Sequence, residues 1–151
     1  MTVDDVAAEA GVARGTVYQT YPSRAALVDD TVARFLTASE SRYLDVMARL
    51  PSWEALNEIV LTSTLGVAAT AEVLGPDCPP GPVRDAMERL FTIVDGLLEQ
   101  GRAEGTIRED VTLEHLKLLF RGLYLALPEY SPERVAIAQE HGRIILRGFR
   151  A

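Results

Sequence analysis

Lysine, histidine, cysteine and tryptophan are almost missing from this chain of 151 residues, and each scarcity excludes something. A single cysteine, Cys78, rules out an intrachain disulfide and suits a reducing, cytoplasmic setting. It has no basic neighbour to lower its pKa and reads as a loop thiol. The two histidines, His115 and His141, lie too far apart for a metal-ligand spacing, so no metal is expected. Lys117 is the sole lysine, which leaves the positive charge to arginine. No apolar run is long enough to cross a membrane, and no secretory signal follows Met1. Gly-rich phosphate loops, nucleophile elbows and Ser/His/Asp orderings are all lacking, so neither a catalytic residue nor a cofactor is expected and the chain does not read as an enzyme. Strand-period segments and internal repeats are lacking too. What remains is an all-α chain, with 48% hydrophobic residues and a net charge of −7.

The segment from Thr2 to Leu27 is the most specific. Thr2 with Asp5 three residues on makes a capping-box start. Val3, Val6, Ala7 and Ala10 then recur at helical spacing. Gly11 suits a left-handed turn, Val12 re-enters the core, and Arg14 to Thr20 forms a second short helix with Val17 inward. Ala7 is small where the two helices cross closely. The second helix exposes Arg14, Thr16, Gln19 and Thr20, with Tyr18 on its flank, all groups that bond to base edges or phosphates. Pro22 stops that helix and Ser23 caps the next, where Arg24 and the first amides suit a phosphate. This is the spacing of a helix-turn-helix, whose partner is double-stranded DNA.

The run Val6-Ala7-Ala8-Glu9-Ala10-Gly11-Val12-Ala13-Arg14-Gly15-Thr16-Val17-Tyr18-Gln19-Thr20-Tyr21-Pro22-Ser23-Arg24 resembles the signature of tetracycline-repressor (TetR) family regulators. The resemblance covers about the first fifth of the chain. It implies that Arg14, Thr16 and Gln19 face bases or backbone in the major groove, and that Thr2, Tyr18, Tyr21 and Arg24 contact phosphates. It also implies a homodimer and a small, hydrophobic effector held in the C-terminal bundle. The chain departs from the pattern at Ala13, where the family has a capping serine, and at Tyr21, where phenylalanine is commoner. It also begins directly before the helix-turn-helix, without the family's first helix. The expected organisation is therefore a head over 1–27, incomplete in that sense, running into a long helix over 23–50. A ligand-binding and dimerisation domain occupies 28–151.

Behind the head the pattern is helical throughout. The long helix carries Val28, Val32, Phe35, Leu36, Tyr43, Val46, Met47 and Leu50 at three-and-four spacing and ends at Pro51. Further helices are expected from Trp53 to about Leu74, from about Val83 to Glu104, from about Thr112 to Ala126, and from Pro132 onward. The proline-rich stretch 75–82 should be a stiff, non-helical connector. Gly105 should close the third of these long helices in a left-handed cap. The inward residues Phe35, Trp53, Leu61, Leu65, Phe91 and Val94 are the candidates for an effector pocket. The last two helices are more apolar than so few partners can cover. They are expected to pair with a second copy in a four-helix interface through Leu116, Phe120, Leu123, Ile137, His141, Ile144 and Ile145.

Two functions from different classes fit. One is a transcriptional regulator, a repressor released from its operator by a small molecule. The other is a dimeric small-molecule-binding or interaction module that no longer reads DNA. Through Leu50 there are five arginines against seven acids, so the head is less acidic than the rest but not basic, and its nonspecific hold on DNA should be weak.

Overall fold

The computed structural model describes residues 2–70, 81–126 and 132–151, the side chains of 65–70, 124–126, 132 and 134 excepted. Among the described residues the elements are seven helices: α1 Val3–Glu9, α2 Arg14–Thr20, α3 Arg24–Arg49, α4 Ser52–Thr70, α5 Pro82–Ala103, α6 Leu113–Ala126 and α7 Pro132–Phe149. All-α architecture with an N-terminal helix-turn-helix and a helical body is the observed fold. The expected connector at 75–82 gives up Pro82, which opens α5. Proline fits there because the first amide of a helix has no partner to lose. The rest of that connector through Pro80, with Cys78, lies outside the described residues.

The head is built as its residues dictate. Thr2 accepts from the Asp5 amide, and the Asp5 carboxylate accepts from the Thr2 amide in return. Gly11 takes φ 66°, and the Val12 amide closes the turn on the Ala7 carbonyl at 3.0 Å. Val3, Ala7 and Val17 bury against Tyr21 and Leu27, a small core separate from that of the body. Val12 does not re-enter the core; it stays 43% exposed. Its turn points it away from the crossing that Ala7 and Val17 fill.

Helix α3 is a 26-residue rod capped by Ser23, whose hydroxyl accepts from the Ala26 amide at 3.1 Å. Its inward stripe is Val32, Leu36, Ser39, Tyr43 and Val46. Helix α4 is the hub and packs on α3, α5, α6 and α7. It is buried on most sides at Ala55, Leu56, Ile59 and Val60. Ser52 is its first residue, one before the expected start at Trp53. Fully buried, its hydroxyl bonds to the Glu104 carboxylate and lies 2.9 Å from the Thr106 hydroxyl. It thereby fastens the start of α4 to the turn after α5. Gly105, at φ 68°, makes that turn, and the Thr106 and Ile107 amides both donate to the Gly101 carbonyl. Ile107 then packs so closely over Gly101 that a side chain there would force it to shift.

Candidate functional site

The exposed face of α2 carries the groups read from the sequence. Arg14, Thr16, Tyr18, Gln19 and Thr20 are all exposed, as are Thr2 and Arg24 on either side. The geometry qualifies several of them. Arg14 is held by Asp4 at 3.0 Å and lies over the Tyr18 ring, 5.4 Å from its centroid. A phosphate or base that takes Arg14 meets a guanidinium whose Nε is already engaged by Asp4. Thr20 turns its proton back onto the Thr16 carbonyl, leaving its oxygen as an acceptor. Tyr21 departs most from its expected role. Half-buried in the head core, it donates its hydroxyl proton to Asp30 at 2.8 Å, and Asp30 also receives Arg34 at 2.7 Å. That bond holds the Asp30 carboxyl below the ordinary range, through Arg34 first and Tyr21 second, and it raises the Tyr21 phenol. Tyr21 is therefore a tie between head and rod; its proton is not offered to a phosphate. Ala13 opens α2 without a side-chain cap, as expected.

Farther along, α3 forms one wall of a cavity of about 90 Å³ that opens to solvent. Phe35, Leu36, Ser39, Arg42 and Tyr43 of α3 line it. Ile59, Val60, Thr62 and Ser63 come from α4, Met87, Leu90, Phe91 and Val94 from α5, and Leu113, Leu116 and Phe120 from α6. Of the pocket candidates, Phe35, Phe91 and Val94 are there. Trp53 is not: it packs at the start of α4 under the Arg150 guanidinium, 5.6 Å from its ring centre. Leu61 is not among the lining residues either; it packs on the core near Gly142 of α7, on another side of α4. The side chain of Leu65 lies outside the described residues. Sequence reading missed Ser39, Arg42, Tyr43, Thr62 and Ser63. A signal was present, since Ser39 and Tyr43 interrupt an otherwise apolar inward stripe.

The proposed dimer residues divide. Leu116 and Leu123 are buried within the protomer, Phe120 lines the cavity, and Ile145 packs on the core. Leu116, Phe120 and Leu123 of α6 thus turn toward the protomer's own helices, as does Ile145 of α7. Ile137, His141 and Ile144 share the outer face of α7; the two isoleucines are 67% and 55% exposed. Leu118, on the outer side of α6, is exposed as well. Among the described residues no cluster of metal-binding side chains occurs, and no helix is long and apolar enough to cross a membrane.

A short helix-turn-helix is thus joined by a single rod to a helical body whose cavity opens to solvent. Residues 1–31 match the model of bacterial regulatory proteins of the tetR family. The HTH-type transcriptional repressor KstR2 of Rhodococcus jostii (strain RHA1) is 26% identical, over 97% of this chain and 80% of that protein. The solved TetR transcriptional regulator SCO0520 from Streptomyces coelicolor superposes with a TM-score of 0.75 at 24% identity, covering 97% of this chain and 86% of that one. FadR from Bacillus subtilis, solved in complex with stearoyl-CoA, superposes with a TM-score of 0.67 at 17% identity, covering 99% and 89%. Over residues 1–31 the chain is similar to the tetR family, and its fold is that of the solved regulators.

Proposed function

We propose that this protein is a dimeric transcriptional repressor, released from its operator when a small, largely apolar effector enters the cavity beside α3. One observation carries the reading. The same continuous helix that lines the cavity from Phe35 to Tyr43 is tied to the head at Leu27 and Asp30. A ligand that favours one position of α3 therefore favours one position of the head, and it acts through its differential affinity for the two. The named repressor KstR2 and the stearoyl-CoA bound by FadR support the same class of activity. On this reading residues 2–27 read DNA in the cytoplasm, and the remainder binds effector and dimerises through Ile137, His141, Ile144 and Leu118.

The test is a titration of the protein with DNA flanking its own gene, followed by fluorescence anisotropy at several salt concentrations. Specific, salt-dependent binding that weakens about tenfold in Arg14→Ala is expected. Binding that ignores both sequence and salt supports instead a ligand-binding module without an operator. In sedimentation at micromolar concentration a dimer is expected, with a monomer from the double variant Ile137→Glu, Ile144→Glu.

A further inference from the structure

The polar end of the cavity points to the effector's chemistry, on the reading above that the cavity is the effector site. Four hydroxyls line it, and none has a proton to give. Ser39 donates to the Phe35 carbonyl at 3.0 Å, Thr62 to that of Glu58 at 2.6 Å, and Ser63 to that of Ile59 at 2.6 Å. With the Ser63 proton so engaged, the short contact between Tyr43 and Ser63 takes the Tyr43 proton. Arg42 is different. It is the one charged residue lining the cavity among the described residues, and no carboxylate there pairs with it. Its Nη2 donates to Ser39 Oγ at 2.9 Å, which orients the guanidinium at the mouth while most of its N–H groups stay uncommitted. Of the acids on the same helix, Glu40 is engaged with Arg89, and Asp45, one turn on, forms no ion pair with Arg42.

We propose that the effector is an organic monoanion, with an apolar body in the cavity and a carboxylate on the Arg42 guanidinium. With the hydroxyl protons spent, Arg42 is the one side-chain donor among the described lining residues that an effector's polar head would meet. A planar cation with free N–H groups matches a carboxylate in both charge and shape. An amine would meet like charge.

Binding of matched compounds to the full chain, measured by calorimetry, tests this: octanoate, 1-octanol and octylamine, then 4-phenylbutyrate, 4-phenylbutanol and 4-phenylbutylamine. Without a cation the alcohol of each set wins, because its head is cheaper to desolvate than a carboxylate. The expected order is carboxylate, alcohol, amine, with the carboxylate ahead by about tenfold, the scale of one charge-assisted contact. Arg42→Gln should cancel that lead and leave alcohol binding unchanged; Arg42 is exposed, so the variant keeps the fold. An alcohol that binds as tightly as its carboxylate, or a preference that survives Arg42→Gln, overturns the monoanion. No binding by any of the six overturns the effector cavity itself.

Discussion

A methyl group on Gly101 would lie 2.3 Å from Ile107 Cδ1 and 2.7 Å from its Cγ1, and Ile107 is wedged in the core at 1% exposure. Gly101→Ala should therefore destabilise the body by about 1–3 kcal/mol, the cost of overpacking, read as a lower urea midpoint with an unchanged slope. An unaltered midpoint would show that Ile107 has room to turn aside. Asp4 poses the opposite case at the surface. It pairs with Arg14 in the free protein, so DNA competes with it for the guanidinium. Asp4→Asn should tighten DNA binding about threefold, the scale of an exposed ion pair, and leave thermal stability in place. Weaker binding would mean that Asp4 aims Arg14 for its DNA contact.

Among the elements, α2 has the plainest defect. It is seven residues long and opens at Ala13 with no side-chain cap. Ala13→Ser should stabilise the head by about 1 kcal/mol. Amide exchange across Arg14 to Thr20 should slow accordingly while exchange in α5 does not change. The helices themselves were legible because their signals are local. The box of Thr2 with Asp5, the turn at Gly11 and the cap at Ser23 each lie within a turn of chain, and the stripe of Val32, Leu36, Tyr43 and Val46 repeats at helical spacing. What was not legible depends on which faces meet. Leu116 and Leu123 look like surplus apolar surface in sequence, yet α4 and α5 consume them. Leu118, half a turn from Leu116, is left outside. Trp53 and Phe91 are alike as large inward aromatics, and only the way α3, α5 and α6 stand apart makes one of them a cavity wall. Tyr21 was misread because its partner, Asp30, lies on the next helix, beyond the turn at Pro22.

Over the whole molecule, several carboxylates are held below their ordinary range by bonds that exist only when the chain is folded. Asp5 is held by the backbone and hydroxyl of Thr2, Asp30 by Arg34 and Tyr21, Glu104 by Ser52 and Gln100, and Asp110 by Arg108. Their stabilisation is complete above the unfolded pKa values and disappears as pH falls through the lower folded ones. Urea midpoints should stay level from pH 8 to about 5 and drop below about 4. A midpoint that rises on acidification would contradict this. The two small contacts that join head to rod, Leu27 in the apolar cluster and the Tyr21–Asp30 bond, carry one more consequence. On the proposed function they are the slip clutch between body and head. If an effector moves α3, its pull reaches the head only as far as this joint holds, so Tyr21 and Asp30, far from the ligand, would limit how much of that movement DNA feels.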